Sequence, residues 1–133
     1  LAYAANRGID VKIIMPHITD KPYAYIVARN YYEILLKKGI RIYEYEPGFI
    51  HAKEFISDDC KAVVGSVNMD YRSLYLNFEC AAYLYQVNAV HDAEKDFQDT
   101  LRQCMEITLE DCRKYSGFKK FIGKFMWLFS PLM

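Results

Sequence analysis

His51-Ala52-Lys53-Glu54-Phe55-Ile56-Ser57-Asp58 leads, after Asp59-Cys60, into Lys61-Ala62-Val63-Val64-Gly65-Ser66-Val67-Asn68. Two short apolar runs separated by an acidic turn read as neighbouring strands. Period-two alternation puts His51, Lys53 and Phe55 on one face of the first strand and Ser66 and Asn68 on a common face of the second. A lysine beside a histidine suits a phosphate. The ammonium neutralises non-bridging oxygens, and the imidazole attacks phosphorus or moves a proton. Ser66 and Asn68 add short donors at a strand end, and Gly65 permits close approach. If the two strands pair, four phosphate-directed groups converge.

Glu79 stands in Asn77-Phe78-Glu79-Cys80, between apolar neighbours. A carboxylate there is a candidate to hold an imidazole by its second nitrogen, which fixes the tautomer and favours the charged form. Taken singly, each piece has an ordinary reading: a surface His-x-Lys pair, a Gly-Ser turn, a structural ion-pair partner. Their joint spacing is what sets them apart, because each supplies a part the others need.

Outward from this stretch the chain reads as alternating helices and strands. Residues 1–7 read as a helix end stopped by Gly8, and Val11–Met15 as a buried strand closed by Pro16. Residues 17–21 form a polar loop. Ile26, Val27, Tyr31, Ile34 and Leu35 recur at helical spacing over residues 22–38, and Gly39 ends that run. Strands are expected at residues 40–45, 49–57, 61–67 and 77–85, with a turn at Pro47-Gly48. A long helix is expected over residues 88–113, with Asn88 available as its cap. Strands interleaved with helices predict an α/β domain with a mixed central sheet covered by helices, an α/β/α sandwich. The expected organisation is one domain, residues 1–113, followed by a tail, residues 114–133.

The 133 residues are 53% hydrophobic and 26% charged, enough for a core and too apolar for a disordered chain. Seventeen basic residues balance seventeen acidic ones, so overall charge argues against a nucleic-acid partner. The balance is uneven along the chain. Arg113, Lys114, Lys119, Lys120 and Lys124 face no acidic residue from 113 onward, which leaves twelve basic against seventeen acidic residues in 1–112. Cys60, Cys80, Cys104 and Cys112 have no CxxC pairing or histidine at ligand spacing. They read as free thiols of a reducing compartment, with no metal or other cofactor expected. The chain opens with Leu1 inside a helix, as expected of a segment from a longer polypeptide, and no apolar run is long enough to span a bilayer.

His51, Lys53 and Asp58 match the His-x-Lys-x4-Asp signature of the phospholipase D superfamily, and the six residues between Asp58 and Gly65-Ser66-x-Asn68 fit its extended motif, as does Glu79. Beyond the motif, residues 7–14, Tyr43-Glu44-Tyr45, Pro47–His51, Asn68–Ser73, Leu76–Glu79 and the closing Phe129-Ser130-Pro131-Leu132-Met133 resemble the second half of bacterial cardiolipin synthases. The resemblance implies paired motifs facing each other across a two-fold or pseudo-two-fold axis. The partner half is the N-terminal motif of the same polypeptide or a second copy of the chain. One histidine forms a phosphohistidine, the other serves as general acid and base, and no metal is required. His51 is expected as the acid/base, Lys53, Ser66 and Asn68 as holders of the phosphoryl oxygens, Glu79 as the group orienting His51, and Asp58 as a structural member that ties its turn. The implied reaction transfers phosphatidyl from one phosphatidylglycerol to another and releases glycerol, on the cytoplasmic side of a bacterial membrane. The alternatives are a phosphodiesterase acting on phospholipid or nucleic acid, or a half-site that is silent in isolation.

In the tail, Phe118, Phe121, Ile122, Phe125, Leu128 and Phe129 share one side of a helical wheel, with Lys119, Lys120 and Lys124 off it and Trp127 on the polar side. That pattern suits a helix lying on an anionic membrane surface, or an amphipathic helix packed on the partner half. His17 falls in a loop after a strand, a candidate for proximity to substrate. The tyrosines at 23, 25, 31, 32, 43 and 45 read as core and boundary residues rather than a substrate channel.

Overall fold

Gly8 and Gly39 lie in the left-handed region, at φ 86° and 83°, where a side chain is strained. Each ends a helix where the sequence placed the stop. At the second, the Gly39 N–H donates to the Leu36 carbonyl (3.0 Å) and the Ile40 N–H to the Leu35 carbonyl (3.2 Å), the paired bonds of a Schellman cap. The computed structural model describes residues 1–127, so Leu128 and Phe129 of the tail and the closing 130–133 lie outside the described residues. In chain order the elements are α1 (Ala2–Asn6), β1 (Lys12–Pro16), α2 (Pro22–Lys37), β2 (Arg41–Tyr45), β3 (Glu54–Ser57), β4 (Lys61–Gly65), α3 (Tyr71–Tyr75), β5 (Ala81–Tyr85), α4 (Asn88–Leu101), β6 (Cys104–Ile107), α5 (Leu109–Lys114) and α6 (Gly117–Trp127). The α/β class holds, with helices flanking small sheets. The strands form two three-stranded sheets, β1-β2-β6 and β3-β4-β5, where a single central sheet was expected. The described residues divide into two compact units, 1–50 with 103–127, and His51–Arg102.

In the first unit β1 and β2 run parallel from Lys12↔Arg41 to Pro16↔Tyr45, and β6 adds antiparallel to the other side of β2. Tyr32, Ile40, Ile42, Ile107 and Cys112 are buried together, with Ile13, Met15, Leu35 and Leu36 packed against them. The strand at β1 was expected to be buried. It is half-buried throughout, because it is the edge strand of its sheet and only β2 has neighbours on both sides. Helix α6 docks on α2 through Gly123, where a Cβ would stand 1.9 Å from Asn30 Nδ2 and 3.0 Å from the Ile26 carbonyl oxygen. That close approach leaves Phe118, Phe121 and Phe125 exposed, at 73%, 71% and 63%.

The helix expected over residues 88–113 is interrupted. Residues 104–107 pair with the free edge of β2, from Ile42↔Ile107 to Tyr45↔Cys104. Thr108 then starts α5 with a capping box: its side chain accepts from the Asp111 N–H, and the Asp111 carboxylate accepts from the Thr108 N–H. Hydrogen bonds offered by an open sheet edge outweigh the apolar spacing that reads as helical. Asn88 is the first helical residue rather than the cap, a position that Val87 holds without a side-chain bond.

The second unit is an antiparallel meander, β3-β4-β5, with α4 against it and Ala62 and Val90 buried. Its strands are shorter than expected. The run at 49–57 becomes regular only at Glu54, the run at 61–67 ends at Gly65, and the run at 77–85 begins at Ala81. Pairing sets these limits. The Gly65 N–H donates to the Lys53 carbonyl (3.1 Å), and the Ser66 N–H turns to the Cys80 carbonyl (2.9 Å). The Asn77 N–H is taken by Arg72 (2.9 Å) at the end of α3, a helix the sequence reading did not place.

Candidate active site

The site lies at one end of the β3-β4-β5 sheet, and Gly65 makes it possible. A Cβ on Gly65 would stand 2.3 Å from the Cys80 carbonyl oxygen and 2.5 Å from the Ala81 Cα. Without it, β4 and β5 approach closely enough for Ser66 to meet the chain at Cys80. The Ser66 Oγ accepts from the Cys80 N–H (3.0 Å) and donates to the carboxylate of Glu79. The other Glu79 oxygen accepts from Asn77 Nδ2 (3.2 Å), whose own Oδ1 accepts from Arg72 Nε (3.1 Å). Hydrogen bonds from Ser66, Ser73 and Asn77 hold the Glu79 carboxyl below the usual carboxylate range, and the nearby charge of Lys53 acts in the same direction.

Ser73 is buried, and its hydroxyl accepts a long hydrogen bond from Asn68 Nδ2 (3.4 Å). Asn68 is therefore one link removed from Glu79, through Ser73. The backbone of Ser73 is fixed by Asp70, which caps α3 by accepting its N–H (2.7 Å). Ser73, Asn77 and Arg72 were not among the expected site residues. The spacing Asp70-x-x-Ser73, a capping pattern, was the available signal.

His51 and Lys53 precede β3 rather than sitting within it. Lys53 belongs to the ladder through its carbonyl, and its Nζ donates back to the His51 carbonyl oxygen (2.8 Å). His51 is exposed. Asp58 follows the opposite end of β3, in a turn where Asp58 and Asp59 both have φ 54°. Its carboxylate accepts from Ser57 Oγ (2.8 Å). The structure thus brings Ser66 and Glu79 into contact, sets Lys53 near them, links Asn68 through Ser73 and leaves Asp58 tying its own turn. Among the described residues no group of His, Cys, Asp and Glu is arranged to hold a metal ion, and the four cysteines are free thiols. No helix among them is long and apolar enough to cross a membrane.

Residues 1–101 match the family model described as cardiolipin synthase, PLD-like domain. Over all 133 residues the chain is 50% identical to an uncharacterized protein of Streptococcus mutans, 39% to cardiolipin synthase 2 of Bacillus anthracis and 39% to a cardiolipin synthase of Clostridium perfringens. It spans 29%, 26% and 28% of the lengths of those relatives. Its fold is similar to that of Nuc, a phospholipase D family member from Salmonella typhimurium, with a TM-score of 0.68 and 27% identity, covering 80% of this chain and 70% of that one.

Proposed function

Because the chain belongs to the cardiolipin synthase, phospholipase D-like domain family, we propose that it supplies one half-site for phosphatidyl transfer between two phosphatidylglycerols. The observation that supports this reading is the gathering of Lys53, Ser66 and Glu79 at the end of one sheet, with His51 two residues before Lys53. In the first step a histidine of the partner half attacks phosphorus. The P–O bond to glycerol breaks, and His51 gives its proton to the departing alkoxide. In the second step the headgroup hydroxyl of another phosphatidylglycerol loses its proton to His51 and attacks phosphorus, and the P–N bond breaks. The donors on Lys53 and Ser66 rest on protein acceptors, the His51 carbonyl and Glu79. The phosphoryl oxygens take over these donors, joined by Asn68, and are stabilised most as negative charge builds in the transition state.

A half-site needs a partner, and one surface of this unit fits that need. Met69, Leu74, Tyr75 and Leu76 are exposed around α3, and Phe78, next to Glu79, is fully exposed. Contiguous apolar side chains beside a catalytic group mark a surface covered by another chain segment. The partner is the other motif-bearing half of the longer protein or a second copy of this chain. The α6 face, with three exposed phenylalanines beside Lys119 and Lys124, fits an anionic bilayer, which is also the form in which the lipid substrate is met. The free thiols fit the reducing, cytoplasmic side.

The test is to incubate the full-length protein with phosphatidylglycerol vesicles and identify the lipid products, beside His51→Ala. Cardiolipin and free glycerol, both lost in the variant, are expected. Phosphatidic acid would change the acceptor to water, and turnover unchanged in His51→Ala would overturn the role of His51.

A further inference from the structure

At the C-terminal ends of the parallel strands β1 and β2 stands a histidine–carboxylate pair. His17 follows Pro16, and its N–H donates to the Tyr45 carbonyl (3.1 Å), which carries the β1–β2 ladder one residue further. Its ring Nδ1 lies 2.8 Å from Oε2 of Glu44, a β2 residue that is 1% exposed. The other oxygen of Glu44 accepts from Tyr25 Oη (2.7 Å) and Arg29 Nη1 (2.7 Å). The Arg29 guanidinium is caged by the rings of Tyr25, Tyr32 and Tyr115, at 5.7, 5.0 and 4.9 Å.

Among the described residues Arg29 is the guanidinium paired with Glu44, and with Tyr25 it pins α2 to β2. The His17 side chain is 47% exposed and borders an open depression of about 300 Å3 shared with Asp111, Lys114 and Tyr115. Burial raises the pKa of Glu44, but the bonds from Tyr25 and His17 and the charge of Arg29 outweigh it and hold the group below the usual carboxylate range. An ionised carboxylate only accepts hydrogen bonds, so the proton of the imidazole is on Nδ1. In the neutral ring Nε2, the nitrogen not engaged by Glu44, is then the acceptor that His17 brings to the depression it lines. It is an acceptor for a hydroxyl, held in one tautomer by its partner and in one place by its backbone. Lys114, paired with Glu110 at 2.9 Å, contributes a cation at the rim.

We propose that this depression is a second ligand site, for a glycerol phosphate group, in which His17 Nε2 accepts from a glycerol hydroxyl and Lys114 faces the phosphate. The choice of glycerol rests on the reading of phosphatidylglycerol as substrate; the histidine–carboxylate geometry does not.

Binding to the full-length protein is measured by calorimetry with two soluble probes, glycerophosphoglycerol and glycerol phosphate, on wild type, His17→Ala, His17→Asn, Lys114→Ala and His51→Ala. Loss of one hydrogen bond predicts about tenfold weaker binding in both His17 variants. Lys114→Ala also weakens binding, and His51→Ala leaves this site intact. Preference for the diester identifies a lipid headgroup as the source of the ligand, and preference for the monoester a free metabolite; both support the site. Equal binding in wild type and the His17 variants, or no binding to wild type, overturns it. Thermal melts of the two His17 variants separate lost binding from lost folding, and a fold that stays intact with weakened binding is expected. If the protein makes no cardiolipin but His17→Ala still weakens binding, the substrate reading fails and this site stands.

Discussion

Ser66 and Glu79 meet where the β4–β5 ladder ends: the serine hydroxyl accepts from the Cys80 backbone and donates to the neighbouring carboxylate. One hydroxyl thus joins strand pairing to the ionisation of Glu79. The bond helps keep the Glu79 carboxyl below the usual carboxylate range, so its removal raises that pKa. Activity that needs ionised Glu79 is lost as pH falls through the pKa. Ser66→Ala is therefore expected to move the acid limb of the pH–rate profile to higher pH. Glu79→Gln is expected to lower kcat by roughly 100-fold, and the double variant to lose less than the product of the two single effects. An acid limb unmoved in Ser66→Ala would separate the two residues.

Gly65 is required by the approach of β5. Gly65→Ala drives a methyl against the Cys80 carbonyl and the Ala81 backbone, neither of which moves without opening the ladder. The expected loss is on the order of 3 kcal/mol, read as a lower urea midpoint, with kcat falling in whatever protein stays folded. A variant as stable as wild type would mean the strands separate freely there.

Glu44 ties acid stability to the first unit. Its folded pKa is depressed, so its contribution is present above the unfolded pKa and is lost as pH falls through the folded one. Glu44→Gln leaves Arg29 caged without its counter-charge, at an expected cost of about 3 kcal/mol near neutral pH. The melting temperature of wild type should fall on acidification more steeply than that of the variant. Parallel curves would count against this account.

Phe118 and Phe121 lie on the exposed face of α6, away from the Gly123 contact with α2. Changing both to serine should lower co-sedimentation with phosphatidylglycerol vesicles at least about tenfold, as lost apolar burial implies, while thermal stability is kept. Binding of wild type should weaken with salt and be poor on neutral phosphatidylcholine vesicles. Unchanged sedimentation of the double variant would assign this face to the partner half instead.

The segment from Gly8 to Tyr45 was legible in the sequence because its signals are local. Gly8 and Gly39 stop helices through their own backbone freedom, and the spacing of Ile26, Tyr31 and Leu35 marks a helix wherever it packs. The candidate site residues His51, Lys53, Ser66, Asn68 and Glu79 could be named by type and interval, and the structure brings Ser66 and Glu79 into contact. Partners decided the rest. The strands were expected to be long because apolar alternation continues past Gly65 and before Ala81, but a strand extends only while a neighbour offers hydrogen bonds. Residues 104–107 have helix-compatible spacing and become a strand because β2 presents an open edge 60 residues away in sequence. The contact of Ser66 with Glu79 and the hold of Glu44 on His17 arise between different elements separated along the chain. Residue type and local backbone preference were therefore set by the sequence alone. Which donor meets which acceptor was decided by tertiary structure, because hydrogen bonding depends on distances that only the assembled sheets create.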